Sequence, residues 1–462
     1  MDYKPLLLLP FLTGCLLDEP THHIISAPSI EVADNPYFAR GDWPEENWWK
    51  AFANPELDAL IHQALAQNPS LQSVQHRVQQ AKEEADVAKA KLYPLLFFNA
   101  SDNWEYLSKN GLYKAFNPNL PRNAYTVDLT LAFSYEFDFW SKYRNLFQAA
   151  IGRQKAEEAT AAEVRLIVTT AVAQAYFALK ANLVKEQLIK DLYAVRVETY
   201  DLQKLLLKKG LYSKLPVYLG EENLEEMGKR VEAIEEEVAV NKHLLNILAG
   251  LGPDEPLKIG GQLLALDTLT IPETLSLNLL SRRPDLMAQI WRVEALAHEV
   301  GAAKADFFPN INLAALLGLE SVKWSKLFYG SSATTGALPA ISLPLYTAGS
   351  IRANIDAKRA NFETAVQEYN DLVLKSAQEV ADLLSIAKSI FAQCEKQTVI
   401  VDRAQKRLDL TLLRQKSGLD NGFENYAFQE EILQKQLENI DLVYGQYLAA
   451  VKLIKALGGG YQ

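Results

Sequence analysis

The clearest pattern of hydrophobic and polar positions in this chain is an alternation from Tyr125 to Phe139, in which every odd-numbered residue is apolar. Polar residues occupy most of the positions in between. A period of two predicts a β-strand with one apolar and one polar face. A soluble sandwich also contains such strands. However, a strand of about 15 residues exceeds the usual length in globular sheets and suits a membrane barrel with a water-filled lumen.

Three further segments carry weaker strand patterns: residues 95–106, 310–319 and 336–346. The first alternates with one exception, Asp102, which interrupts the apolar positions. The last contains Pro339 and Pro344, and proline removes a donor from the ladder of a sheet. The second pair of segments is therefore weaker evidence for a barrel than the first pair.

Two stretches without proline are predicted to form very long helices, each followed by a turn and a returning helix. The predicted helices cover residues 141–209 and 217–248 in the first hairpin, and residues 350–416 and 423–457 in the second. The longest would measure on the order of 100 Å at about 1.5 Å per residue. Helices that reverse through a short turn pack antiparallel, and their many small residues allow close approach.

The two halves of the chain repeat each other. Residues 77–94 align without a gap on residues 292–309, and the identical pairs include Arg77 with Arg292 and Glu84 with Glu299. A gapless match through a helix, a proline stop and the start of a strand indicates a tandem duplication. We therefore expect a first repeat over 55–250, a linker over 251–272, a second repeat over 273–457 and a short tail over 458–462. The fold class is mixed α and β.

The N-terminus carries a short apolar run that ends in Leu12-Thr13-Gly14-Cys15. This segment resembles a bacterial lipoprotein signal, which predicts a signal peptide over 1–14, lipidation of Cys15 and an extended tether over 15–54. The alternative is an apolar leader with an incidental cysteine. Cys394 lies in a helical stretch, where we expect a buried free thiol without a disulfide partner.

Composition excludes several classes of function. A hydrophobic content of 49% with 23% charged residues fits a folded protein. The 47 basic and 57 acidic residues give a net charge of -10, which argues against nucleic acid as a partner. No uninterrupted apolar run reaches the roughly 18 residues that a membrane helix needs. We find no zinc-ligand spacing and no glycine-rich phosphate loop, so the chain is expected to be no enzyme and to hold no cofactor.

Six segments, spread in order over nearly all of the chain, resemble the outer-membrane factors of tripartite efflux systems, the TolC/OprM-like lipoprotein channels. They are TrpTrpLysAlaPhe at 48–52, AlaGlnAsnProSerLeu at 66–71, TyrGluPheAspPheTrp at 135–140, SerArgArgProAspLeu at 281–286, GlyAlaAlaLysAlaAspPhePhePro at 301–309 and LysAlaLeuGlyGlyGly at 455–460. The lipoprotein signal that ends in Cys15 is also a feature of this subfamily.

The resemblance implies a homotrimer in the outer membrane of a Gram-negative bacterium. Each protomer would give four strands to one shared β-barrel and its long helices to an α-helical barrel across the periplasm. The polar strand face would line the lumen and the apolar face would contact outer-membrane lipid. The lumen candidates are Asn99, Ser101, Asn103, Asp128, Glu136 and Asp138. The implied partners are a periplasmic adaptor, or membrane fusion protein, and an inner-membrane RND-type pump.

In this family the channel narrows at the periplasmic tips of the helical hairpins. Aligning Gly210 with Gly418 puts Asp420 and Glu424 nearest this constriction, where three-fold symmetry would bring like charges together. Arg414 and Lys416 are candidate basic partners of these carboxylates. The alternative is an ordinary polar turn with solvated charges.

Three functions remain open at this stage. The first is a passive duct for the efflux of small molecules, such as drugs and toxic compounds. The second is a duct of the same fold that serves type I protein secretion. The third is a periplasmic coiled-coil adaptor without a barrel, against which the alternation from Tyr125 to Phe139 speaks.

Overall fold

The computed structural model describes residues 24, 25, 28, 35–272, 282–417 and 422–461. In chain order its elements are β1 (Phe38–Gly41), a 3₁₀ helix (Trp48–Phe52), α1 (Pro55–Gln67), α2 (Pro69–Ala90), β2 (Leu95–Tyr106), α3 (Leu112–Phe116), β3 (Asn123–Glu136), α4 (Lys142–Lys208), α5 (Lys214–Leu248), β4 (Leu269–Pro272), α6 (Pro284–Ala305), β5 (Asn310–Ser321), two 3₁₀ helices (Trp324–Lys326 and Gly330–Ser332), β6 (Ala333–Ser342), α7 (Ser350–Lys416) and α8 (Gly422–Ala456).

The duplication extends through the whole set of main elements. α2 and α6 both have 22 residues, β2 and β5 both have 12, α4 and α7 both have 67, and α5 and α8 both have 35. An offset of 215 residues relates α2 and β2 to α6 and β5, since Pro69 corresponds to Pro284. An offset of 208 relates α4 and α5 to α7 and α8, since Lys142 corresponds to Ser350. The prediction of a tandem repeat is confirmed in the lengths of its elements.

Four long strands form one antiparallel sheet in the order β2-β3-β5-β6, while β1 and β4 pair separately in parallel. The first predicted strand has the expected bounds. The second was predicted too long, because β3 ends at Glu136 rather than at Phe139. The fourth lies earlier than predicted, because β6 ends at Ser342 before Pro344, whereas Pro339 lies within it opposite Leu313.

The long helices pack side by side in the order α2, α4, α6, α7, and the returning helices α5 and α8 pack on α4 and α7. α8 also packs on α4, which joins the two hairpins. Small residues permit these contacts, as the sequence suggested. A Cβ atom added at Gly152 of α4 would lie only 3.0 Å from the Cβ atom of Ala295 of α6.

Glycines end the helices in left-handed conformations. Gly458 has a φ of +93°, its amide donates to the carbonyl of Lys455, and the amide of Gly459 donates to that of Ile454. These two bonds form a Schellman cap, so the Gly-Gly-Gly sequence marks the end of α8. Gly250 ends α5 with the same pair of bonds.

Each repeat also joins its first long helix to its last. The side-chain amide of Asn68, the N-cap of α2, donates to the carbonyl of Leu248 at 3.0 Å. Arg283, at the corresponding position before α6, donates to the carbonyl of Ala456 at 3.0 Å. Leu248 and Ala456 are the last residues of α5 and α8. These two bonds, which we call the repeat closures, satisfy helix-end carbonyls that lack partners within their own helices.

The segment predicted as a tether over 15–54 is only partly one. From Phe38 onward it folds onto the body, because β1 pairs with β4 of the predicted linker and Trp48 and Trp49 are buried in the largest apolar core. Burial of two tryptophans stabilises this docking. Cys15, most of the predicted tether before residue 35 and the start of the second predicted repeat, residues 273–281, lie outside the described residues.

Within the described residues, one helix is long and apolar enough to cross a membrane by length and composition. This is α4, whose most apolar window has a mean hydropathy of 1.3. Two-thirds of that window is buried by other helices, so packing inside the protein accounts for its composition. Cys394 is a buried free thiol, as predicted, and burial raises its pKa.

Candidate channel and its two ends

The four-stranded sheet has one polar face. Residues directly opposite each other in an antiparallel sheet point to the same side. Asn99, Ser101 and Asn103 of β2 stand opposite Thr130, Asp128 and Thr126 of β3. The hydroxyl of Ser101 donates to the carboxylate of Asp128 at 2.9 Å. The structure therefore brings these predicted lumen residues together on one face.

Sequence reasoning missed one acidic residue of this face. Glu320 of β5 lies directly opposite Asp128 and therefore on the same side. The strand prediction stopped at residue 319, one residue before Glu320, because the alternation in β5 is weak. The two neighbouring carboxylates make this part of the polar face acidic.

The remaining two lumen candidates lie at the helix end of the sheet. Glu136, the last residue of β3, accepts hydrogen bonds from the amide of Asn310 at 2.5 Å and from the hydroxyl of Tyr143 at 2.6 Å. Asp138 lies beyond the strand, and its carboxylate accepts the backbone N–H groups of Tyr143 and Arg144 at 2.9 Å each. Asp138 caps the start of α4, where unpaired N–H groups favour a carboxylate, and it is not a strand residue as predicted.

The opposite face of the sheet is apolar, and its residues are exposed or half-buried in the protomer, except for the buried Val127. Its middle carries leucine and phenylalanine, and aromatic residues lie towards both ends, including Trp104 and Tyr125 at one end and Tyr135 at the other. Tyr125 and Tyr135 are about 33 Å apart along the strand, which a tilt of about 40° reduces to about 25 Å. That is the height of the apolar band on an outer-membrane barrel. Asp102, the exception in the pattern, lies on this face and accepts the indole N–H of Trp324 at 3.2 Å.

The far ends of the helical hairpins hold the gate candidates. Arg414 and Lys416 are exposed in the last turn of α7, and Glu424 is exposed in the first turn of α8. These positions are favourable for the helix dipoles, since cations suit a C-terminus and anions an N-terminus. Asp420 lies outside the described residues.

Sequence reasoning also missed the contacts between the two hairpins. Arg196 of α4 pairs with Glu430 of α8 at 2.8 Å. Burial raises the pKa of the Glu430 carboxyl, and the positive charge of Arg196 opposes this shift. Nearer the tips, the rings of Tyr212 and Phe423 stack with centroids 5.8 Å apart and planes 8° apart. No local sequence pattern predicts these pairs, because each joins residues more than 200 positions apart.

The part of the chain that the structure describes contains no group of three or more His, Cys, Asp or Glu side chains that could hold a metal ion. The polar groups instead follow a path. They run along one face of a sheet whose strands continue into helices about 100 Å long, and those helices end in charged tips. This arrangement is that of a membrane channel with a long extension on one side.

The profile of the family described as outer membrane efflux protein matches residues 60–227 and 275–459, which is most of the chain. The chain belongs to this family. It is 27% identical over 460 residues to the multidrug resistance outer membrane protein MdtP of Escherichia coli K12, covering 98% of this chain and 94% of that protein. It is 26% identical over 442 residues to the probable outer membrane lipoprotein SilC of Salmonella typhimurium, covering 96% and 93%.

Solved structures agree with this assignment. The outer membrane protein VceC of Vibrio cholerae superposes with a TM-score of 0.80 at 28% identity, covering 91% of this chain and all of that one. The outer membrane channel CmeC of Campylobacter jejuni gives a TM-score of 0.84 at 22% identity, covering 95% and 96%, and supports the fold alone. The protein is an outer-membrane channel of the efflux type, which is a non-enzymatic role, and the family fold is a trimer.

Proposed function

We propose that this channel passively conducts small molecules, drugs and toxic compounds among them, which an inner-membrane RND-type pump delivers through a periplasmic adaptor. One observation carries the proposal: the polar sheet face continues into hairpins whose tips lie about 100 Å away, about three times the thickness of the hydrocarbon core of a membrane. The similarity to MdtP, which is named a multidrug resistance protein, supports small molecules as cargo.

The polar face of the sheet lines the outer part of this conduit. Asp128 and Glu320 lie opposite each other on that face, so a trimer carries three such pairs. Rings of carboxylates favour cations in a pore. The same face has few large apolar side chains on β2 and β3, which lets molecules of varied chemistry pass without tight binding.

The gate is assigned to the tips of the second hairpin. The 208-residue offset makes Pro216 the counterpart of Glu424, so the first hairpin lacks a carboxylate at this position. A trimer would therefore have three copies of Glu424 and of Asp420 near its axis rather than six. Arg414 and Lys416 lie close along the chain and would partly neutralise these carboxylates.

Two sets of contacts would oppose the opening of this gate. The pair between Arg196 and Glu430 and the stacked rings of Tyr212 and Phe423 join the second hairpin to the first. The tips can separate only if these contacts loosen. Lipidation of Cys15 would anchor the channel in the membrane, and the similarity to SilC, which is named a lipoprotein, supports this role.

The proposal is tested by photocrosslinking in cells from an unnatural amino acid at position 420, followed by mass spectrometry of the captured proteins. We expect a periplasmic adaptor together with a proton-driven pump. The matched control places the same group at Asp254, an exposed residue of the linker. Capture of an ATP-driven exporter would replace small-molecule efflux with protein secretion, and equal capture from both positions would refute docking at the tips.

A further inference from the structure

Within one protomer, corresponding helices of the two repeats do not have the same neighbouring helices. α6 lies between α4 and α7, whereas in the described part of the chain α4 is the one helix that packs along its counterpart α2. Likewise α4 lies between α2 and α6, whereas α6 is the one helix of the described chain that packs on its counterpart α7 along the same stretch. The backbone N–H of Ile25 also donates to the side chain of Asn370 there. One side of α2 and one side of α7 therefore lack the neighbour that their counterparts have.

The uncovered side of α2 can be read from differences in burial. Ala302 of α6 is 5% exposed, while its counterpart Val87 is 65% exposed. The residues buried in α6 whose counterparts in α2 are exposed mark one stripe. In α2 this stripe consists of Pro69, Ser73, Gln80, Glu84, Val87 and Ala90. Their spacing of three, four or seven residues places them on a single helix face.

A matching stripe runs along α7. Leu166 of α4 is 8% exposed, while its counterpart Leu374 is 53% exposed. Over residues 357–374 of α7, the exposed counterparts of buried α4 residues are Ala357, Ala360, Thr364, Gln367 and Leu374. Steps of three, four or seven residues are the pattern of a helix face that packs against another helix.

We propose that the α2 stripe of one protomer packs on the α7 stripe of a neighbouring copy, in the register that the chain already uses between its own α6 and α4. This inference rests on the trimeric assembly of the proposed channel and adds the residue pairs of its protomer interface. The register follows from the two offsets. An internal contact between α4 and α6 becomes an interface contact when 208 is added to the first residue and 215 is subtracted from the second.

The rule places a new ion pair in the interface. Within one protomer, the guanidinium of Arg292 donates to the hydroxyl of Thr160 at 3.1 Å. The offsets convert this pair into Arg77 and Glu368 of the neighbouring copy. A neutral hydroxyl inside the chain is thus replaced by a carboxylate at the interface. Arg77 and Glu368 are both exposed in the protomer, and opposite charges at this spacing attract each other.

The same rule fixes the pairing of the two free strand edges. Corresponding residues of β2 and β5 are 215 positions apart, whereas their partners in β3 and β6 are 208 positions apart. For example, Leu95 lies opposite Ser134, and Asn310 lies opposite Ser342. Within the protomer Phe133 of β3 lies opposite Ala315 of β5. The rule therefore places Ile341 of β6 opposite Ala100 of β2 in the neighbouring copy. Both residues are on the apolar face, so the register keeps the faces of the barrel consistent.

The helix register is tested by disulfide formation in the full-length protein in membranes. A Cβ atom at Gly152 would be 3.0 Å from that of Ala295, and the rule converts these positions into Ala360 and Gln80. Because neither of these residues is a glycine, the two helices must lie slightly farther apart at the interface, which brings the Cβ atoms towards the separation of about 3.5–4.5 Å that a disulfide needs. We expect the double variant Gln80→Cys, Ala360→Cys to form covalent dimers and trimers on mild oxidation. The control Gln79→Cys, Ala360→Cys moves one cysteine off the stripe, since Gln79 corresponds to Glu294, which is exposed in α6. Equal crosslinking of the control, or none in the test pair, would overturn the helix register.

The strand register has its own pair of variants, so a folding defect in one test leaves the other intact. Ala100→Cys with Ile341→Cys should crosslink between copies, whereas Ala100→Cys with Ala340→Cys should not, because Ala340 points to the other face.

For the ion pair, Arg77→Glu should lower trimer recovery in detergent, and adding Glu368→Arg should restore it. A double variant no better than Arg77→Glu would contradict the pair.

The same variants, kept reduced, are also assayed for drug efflux. Crosslinks in the expected register without efflux would overturn the proposed function and leave the interface standing. Efflux together with crosslinks in another register would overturn the proposed interface and leave the proposed function standing.

Discussion

Replacement of Arg283 by methionine tests whether the repeat closure stabilises the fold. The side chain of Arg283 is 11% exposed and pairs with Asp285 and Glu379 at 2.8 Å each, besides its bond to Ala456. Burial alone would lower the pKa of this guanidinium, but Asp285 and Glu379 outweigh the burial and raise it, so it is charged. Methionine fills much of the volume and removes every one of these bonds.

The expected cost follows from what is left behind. Removing one partner of a buried ion pair costs about 3–5 kcal/mol, because the other charge remains without compensation. Glu379 is 43% exposed and can be solvated, which argues for the lower end, about 3 kcal/mol. The matched variant in the first repeat is Asn68→Ala, which loses an N-cap and one hydrogen bond and should cost about 1–2 kcal/mol.

Urea unfolding of the detergent-solubilised protein, followed by far-ultraviolet circular dichroism, measures both variants. We expect Arg283→Met to lower the midpoint more than Asn68→Ala, and Arg283→Lys to lie between Arg283→Met and the native protein. An Arg283→Met protein as stable as the native one, or an Asn68→Ala protein that is less stable than Arg283→Met, would refute the reasoning.

Three further predictions concern pH, selectivity and gating. Burial would raise the pKa of Glu299, but Lys358 and Arg153 outweigh it and hold that pKa below its ordinary value of 4.5, so native stability should fall in acid below about pH 4.5. Glu299→Gln should be less stable at neutral pH and lose less on acidification in a thermal melt; an unchanged acid dependence would contradict this. Neutralising Glu320 with glutamine should reduce cation preference in planar-bilayer reversal potentials, and an unchanged potential would exclude it from the lumen. Tyr212→Ala should raise single-channel conductance by loosening the tips, whereas equal conductance would remove this contact from the gate.

The repeat, the long helices and the first strand could be predicted from sequence because each depends on a local period. Leu95–Tyr106 and Ser350–Lys416 have the bounds that the pattern indicates. The end of β3 could not be predicted, because Phe137 and Phe139 continue the apolar alternation while Asp138 already caps α4. The rings of these two residues stack on each other with centroids 5.6 Å apart, although Phe139 is 60% exposed.

The docking of residues 38–54 was missed for a different reason. Its stabilisation comes from Trp48 and Trp49 entering a core formed mainly by α1, α4 and α8, and from a strand pair with residues 269–272. Only the three-dimensional contacts show that a segment without a regular period is held in place. The residues of the polar sheet face were easier to predict, since a strand period assigns each side chain to a face before any partner is known.

The central claim, a conduit for efflux whose tips must separate, is tested most directly by closing the tips reversibly in living cells. The rings of Tyr212 and Phe423 stack on each other. If both residues are replaced by cysteine, the two thiols should form a disulfide between the hairpins in the oxidising periplasm. With a fluorescent drug as cargo, we predict that cells carrying the crosslinked channel accumulate it like cells without the channel, and that a reductant restores efflux. Full efflux through a channel shown to be completely crosslinked would contradict the account.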